Sequence, residues 1–226
     1  MTPDFESFLA TQAATCGSPD GAHDLAHVHR VVRNAMQLMT EERADPRVVV
    51  PAAWLHDCIP VSKNARDRAS ASLRSADAAV RFLGTASYPG DLLPLIHHAI
   101  EAHSFSRGLT PRTIEARVVQ DADRLDATGA IGIARCFGVG GALGRSLYCP
   151  DDPFCQIRSP DDARWTVDHF YRKLLHLADT MQTVSGQREA RRRTAFMRHF
   201  LAELATELVE PSCHLPGTRT GPLSDR

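Results

Sequence analysis

Two histidines and a few aspartates are the residues most able to do chemistry. His56 and Asp57 stand side by side at the end of Val48-Val49-Val50-Pro51-Ala52-Ala53-Trp54-Leu55. That segment is apolar on nearly every side and reads as a buried helix. An imidazole and a carboxylate are costly to bury without a partner, and a divalent cation can pair with both. Taken alone, His-Asp also describes a helix end whose polar residues meet solvent and cap their neighbours. His27 upstream and Asp123 downstream supply further donors, with Asp121 and Asp126 as alternative carboxylates. Two imidazoles and two carboxylates form a mixed nitrogen–oxygen set that suits Mn²⁺, Fe²⁺, Zn²⁺ or, less well, Mg²⁺. Such a set leaves coordination room for water, where hydrolysis would begin.

Other residues could serve the same site. His98 and Glu101 are three apart and share a helix face, and His103 closes that helix. They could line the pocket as proton donor or phosphate contact, hold a second metal, or simply bond backbone beneath the turn at 104–108. Pocket lining is the preferred reading. Candidate cations for phosphate charge are Arg30, Lys63, Arg66 and Arg124, since charge-assisted bonds to phosphate are strong. Any one of them read singly is also an ordinary solvated side chain.

These residues need elements to position them. Val28, Val31, Val32, Ala35, Met36 and Met39 recur at three and four, so a long helix is expected from His23 to about Arg43. His23, His27, Arg30 and Asn34 form a polar stripe along it. Asp45-Pro46 starts the next helix, cap then proline, ending near His56-Asp57. Further helices are expected over 4–16, 66–83, 89–103, from Thr110-Pro111 toward Asp126, over 127–142, and over 163–181 and 187–209. The glycines of 127–142 suit a closely packed helix, and 148–162 reads as loop. No strand, repeat or linker is evident. The expectation is one all-α domain over residues 1–210 with a disordered tail at 211–226.

Composition narrows the function classes. The 226 residues carry a formal charge of −1, which argues against an extended nucleic-acid-binding surface. No apolar run is long enough to span a bilayer, and residues 1–16 lack the order of a signal peptide. The six cysteines form no CxxC pair. Reduced thiols and a cytoplasmic location are therefore expected.

The ordered set His27…His56-Asp57…Asp123 resembles the H…HD…D signature of the HD-domain superfamily of metal-dependent phosphohydrolases. His27-Val28-His29-Arg30-Val31 is similar to that superfamily's first-histidine helix. Asp123-Arg124-Leu125 is similar to its last motif, in which the aspartate before Arg-Leu is the ligand. Closer still is the likeness to a small single-domain bacterial HD hydrolase family, carried by Trp54-Leu55-His56-Asp57, His98-Ala99-Ile100-Glu101-Ala102-His103, Val119-Gln120-Asp121-Ala122-Asp123-Arg124-Leu125-Asp126 and Asp152-Pro153-Phe154. It extends over roughly residues 20–205.

The resemblance implies an HD-type helical bundle and one divalent metal, Mn²⁺ being the first choice, on His27, His56, Asp57 and Asp123. It also implies hydrolysis of a phosphate ester or anhydride by metal-bound water. A nucleotide, such as a nucleoside triphosphate, is the expected substrate. Asp57, Lys63, His98 and His103 are the candidate catalytic residues, and Arg30, Lys63, Arg66 and Arg124 the candidate phosphate contacts. The expected partner is thus a small phosphorylated molecule, with no long nucleic acid and no membrane. Two alternatives stand beside this reading. One is a di-iron oxygenase on the same fold, and the other a non-catalytic regulatory module in which the metal only holds structure.

Overall fold

A computed structural model describes residues 3–16, 25–59, 70–104 and 107–208. Helix α1 spans Phe5–Cys16 and α2 spans Leu25–Glu42. Val28, Val31, Val32, Ala35 and Leu38 form the buried stripe of α2. Met36, expected on that stripe, is half exposed: it lies one step around the helix, and Leu38 fills the place. Helix α3, Pro46–Leu55, starts as expected, with the Asp45 carboxylate accepting the Arg47 N–H. Its Val48, Val49, Ala52, Ala53 and Leu55 have no exposed surface at all. It therefore runs through the core and delivers His56-Asp57 at its far end.

Helices α4 (Ala71–Thr85), α5 (Leu93–His103) and α6 (Ile114–Leu125) complete the first half. Helix α6 begins later than Thr110-Pro111 suggested, because Thr113 is the cap: its hydroxyl accepts the Ala116 N–H at 3.2 Å. Helix α7, Gly129–Ala142, carries the glycines where neighbours come close. A Cβ on Gly132 would lie 2.3 Å from the Ala127 carbonyl oxygen, and one on Gly140 2.3 Å from Thr166 Oγ1.

The stretch 163–181 is not the continuous helix that its sequence suggests. It holds a short helix α8, Asp168–Arg172, then a 3-10 turn over Leu174–Thr180. The Thr166 and Val167 N–H groups are already bonded to the Ser146 and Leu147 carbonyls, at 2.9 and 3.0 Å. Amides committed to another segment cannot join a helix ladder. Asp168, fully buried, is likewise taken by Arg158 and the Asp161 N–H, which fastens the 148–162 loop down. Helix α9, Val184–Glu207, starts three residues ahead of the expected position and is capped by Thr183.

The chain is a single all-α domain. Among the described residues the nearest thing to a strand is one isolated bridge between Ser146 and Trp165. No helix among them is long and apolar enough to cross a membrane. The expected tail at 211–226 lies outside the described residues. Two apolar clusters form the interior. The larger gathers α1 to α6 around Val31, Val48, Leu55, Ile96 and Val119. The smaller joins α7, α8, the 3-10 turn and α9 around Phe170, Leu177 and Met197, with Phe137 and Phe200 packed on it. Buried Asp121 links the halves: its carboxylate accepts the Gln182 and Thr183 N–H groups and the Thr183 hydroxyl.

Packing at α7 yields a paired expectation. Gly132→Ala should lower stability by about 1–3 kcal/mol, because a backbone oxygen cannot move aside for the new methyl. Gly138→Ala, with nothing within 4 Å of the added Cβ, should instead raise it by about 0.5–1 kcal/mol through reduced chain entropy. Thermal unfolding of the two variants reads out the opposite signs.

Candidate metal centre

Four elements converge on one point. His27 sits in the first turns of α2, His56 and Asp57 follow α3, Asp123 lies in the last turn of α6, and His103 ends α5. His27 Nε2 is 3.4 Å from His56 Nε2 and 3.5 Å from Asp123 Oδ1. His56 Nε2 is 3.9 Å from both Asp57 Oδ2 and Asp123 Oδ1. His27, His56 and Asp57 each offer a ligand atom within 4.8 Å of the others'. The imidazoles are buried, but the Asp57 and Asp123 side chains are 24% and 29% exposed, so the cluster opens to solvent on its carboxylate side.

The orientation of the rings is decisive for what fits here. His56 Nδ1 lies 2.8 Å from the Ala53 carbonyl oxygen, which can only accept, so Nδ1 carries the proton. His27 Nδ1 lies 2.7 Å from Asp126 Oδ2, which fixes its proton likewise. In the neutral rings both Nε2 atoms then present lone pairs to each other and to two carboxylates. Facing lone pairs repel one another unless a cation or a proton sits between them. The donor set therefore fits a first-row divalent metal.

Asp126 is the support beneath this arrangement. Besides His27 it accepts Arg30 Nε at 2.6 Å, Arg30 Nη2 at 3.1 Å and Arg135 Nη1 at 2.6 Å. Burial alone would raise its pKa, but the hydrogen bonds from His27 and Arg30 and the charge of Arg135 outweigh that and hold it down at about 2. The sequence offers Asp126 as one of three possible ligands and does not reveal its supporting role. The signal was present as an aspartate three residues beyond Asp123, one helical turn on. Asp121, the other alternative, is spent on the start of α9. Asp123 is the one of the three whose carboxylate approaches both Nε2 atoms.

Burial pushes the His56 pKa down to about 4. His103 moves the opposite way. Burial opposes its charge, but the hydrogen bond to Asp57 and the charges of Asp57 and Asp123 prevail and raise it to about 9. Its Nδ1 bonds the Ile100 carbonyl at 2.6 Å, so Nε2 faces Asp57 Oδ1 at 3.4 Å.

Other expected site residues have different work. His98 and His103 are five apart, roughly 140° around the helix, and cannot both face the cluster. His98 Nε2 accepts the Arg112 N–H at 2.9 Å and steadies the segment before α6. Arg30 is drawn against Asp126, and Arg124 donates to the Thr180 carbonyl. Both make bonds to the framework. Lys63 and Arg66 lie outside the described residues.

The sequence matches the HD-domain family over residues 24–128, the span that carries all four cluster residues. A curated relative, the uncharacterized protein YpgQ of Bacillus subtilis, is 36% identical over 190 residues, covering 82% of this chain and 84% of the relative. The chain belongs to the HD-domain family. Solved structures agree. The crystal structure of an HD-superfamily hydrolase from Bacillus thuringiensis superposes with a TM-score of 0.68 at 30% identity, covering 90% of this chain and 95% of that one. Bacillus subtilis YpgQ in complex with ADP gives 0.66 at 30% identity, covering 90% and 97%.

Two outcomes are expected of this HD centre. Asp126→Asn should cut metal affinity by roughly 10–100-fold, since a group that orients a ligand is worth about that much; titration calorimetry with Mn²⁺ measures it. In metal-free protein, His56 and His103 act in opposite pH windows. An unfolded histidine takes its proton near 6.5 while folded His56 resists until about 4, so stability is lost as pH falls across that range. Folded His103 keeps its proton to about 9, so the stability it adds is lost as pH rises from 6.5 to 9. Metal-free protein should thus melt highest near pH 6.5, with His56→Gln flattening the acid side of the Tm profile.

Proposed function

We propose that the protein is a metal-dependent phosphohydrolase whose substrate is a phosphorylated small molecule, with a nucleotide as the favoured class. The observation that carries this reading is the convergence of four potential ligand groups, His27 Nε2, His56 Nε2 and the Asp57 and Asp123 carboxylates, on one point. A divalent ion held by these residues would polarise a phosphoryl oxygen and lower the pKa of bound water. Mn²⁺ is the metal proposed for it.

The chain's own residues do the rest. His27 and His56 present their lone pairs because Asp126 and the Ala53 carbonyl hold the opposite nitrogens. Asp57 and Asp123 supply negative charge on the solvent-facing side, where an anionic substrate needs a cation between it and the protein. His103, charged near neutral pH, is the proposed donor, from Nε2, to a phosphoryl or leaving-group oxygen once it turns from Asp57. Lys63 and Arg66 are proposed to hold the remaining phosphate charge. The Bacillus subtilis relative forms a complex with ADP, which supports a nucleotide-sized ligand for this chain.

A di-iron centre would call on His98 as well as His103, and His98 Nε2 is already bonded to the Arg112 amide. That favours one metal over two.

The test is a panel of nucleotides and phosphate esters offered to protein loaded with Mn²⁺, alongside metal analysis of the purified protein. Turnover of at least one nucleotide is expected, and Asp57→Ala should abolish it while the helical circular-dichroism signal persists. Absence of turnover across the panel, or a visible iron charge-transfer band, would sink the proposal. Lys63→Ala should raise KM on the best substrate and leave metal content unchanged; if Lys63→Ala and Arg66→Ala both leave the kinetics untouched, phosphate is held elsewhere.

A further inference from the structure

A cavity of about 410 Å³ opens beside Asp126, between α2, the start of α7 and α9. None of His27, His56, Asp57 and Asp123 lines it. Four arginines do: Arg30, Arg33, Arg192 and Arg193. Asp126 is the single carboxylate among the lining residues, and its oxygens are already taken by His27, Arg30 and Arg135. Arg192 and Arg193 share one partner, Glu189. Arg33 is exposed and makes no hydrogen bond or ion pair with the described residues. Positive charge on these walls therefore exceeds the local negative charge.

Two further features fit an anion with an apolar end. The first N–H groups of α7 have no carbonyl within their own helix to reach. Thr128, the cap residue, gives them no side-chain bond, because its hydroxyl turns to the Leu125 carbonyl at 2.7 Å. Phe196 and Ile131 line the same cavity with 49% and 39% of their surfaces exposed, enough apolar area to receive a planar or aliphatic group. The volume falls within the range of pockets that hold small molecules, roughly 300–1,000 Å³.

We propose that this cavity is a second binding site, for a phosphate-bearing small molecule of nucleotide size, separate from the metal cluster. Arg33 and Arg192 hold the phosphates from the rim, Arg193 contributes charge from the floor, and Phe196 carries the base or other apolar end. Arg30 is the common wall. An anion that draws Arg30 toward the cavity weakens its bond to Asp126, and so alters the hold of Asp126 on His27. Occupancy would thereby tune the metal site; this last step rests on the function proposed above, whereas the binding itself does not.

The experiment separates the two. Pyrophosphate and ADP are titrated by calorimetry into metal-free Asp57→Ala protein, in which the metal cluster is disabled. Saturable binding of one equivalent of each is expected, with ADP the tighter. Arg33→Glu with Arg192→Glu on that background should weaken both by about tenfold or more, since two charge-assisted contacts become repulsive. Arg33→Ala alone, at an exposed position without a described partner, should weaken them several-fold and guards against misfolding of the double variant. Phe196→Ala should remove the advantage of ADP over pyrophosphate. No saturable binding to metal-free Asp57→Ala protein overturns the proposal, and so does binding that the arginine variants leave unchanged.

Discussion

The centre depends on where protons are forced to sit. Two buried imidazoles point unprotonated nitrogens at each other because both opposite nitrogens are held by groups that only accept. For His56 that group is the Ala53 carbonyl, one turn back on its own helix. For His27 it is Asp126, a carboxylate whose charge survives burial because two arginines and the imidazole surround it. A buried charge is tolerated only with partners of this number and quality. The repulsion that remains between the facing lone pairs is what a cation would relieve, which would link stability to ligand binding at this point.

The fold serves that constraint through its helix ends. Helix α3 is apolar all round, so it crosses the core and must stop where the core stops; its polar residues begin there. Helices α5 and α6 stop beside it, bringing His103 and Asp123 within reach. Charge is then opposed in space: burial keeps His56 neutral, whereas the same carboxylates keep His103 charged 5.0 Å away, ring centre to ring centre. Two histidines in one cluster therefore differ in charge, His56 presenting a lone pair and His103 an N–H that faces Asp57.

Much of this was legible in the sequence. The apolar run before His56-Asp57, the Asp45-Pro46 start and the periodicity of α2 each follow from local rules that the structure obeys. What was not legible depends on long-range partners. Nothing local in 163–181 reveals that the Thr166 and Val167 amides are pledged to Ser146 and Leu147, so a helix was expected where two short turns stand. The bonds of Arg30 to Asp126 and of Arg124 to the Thr180 carbonyl join residues 96 and 56 positions apart, which no local pattern announces. His98 looked like a partner of His103, but five residues along a helix turn the two faces apart. Of the three aspartates near the end of α6, spacing alone could not rank ligand, support and structural tie.

The match to the HD-domain family ends at residue 128, yet the charge balance of the centre does not. Arg135, on α7, supplies one of the two guanidinium groups on Asp126, and Arg193, on α9, bonds the Leu125 carbonyl and the Asn34 side chain just beneath it. Both belong to helices packed in the second, smaller core. The segment recognisable by family likeness is thus not a self-sufficient module. Divergence beyond residue 128, outside every signature motif, therefore acts on the carboxylate that orients His27.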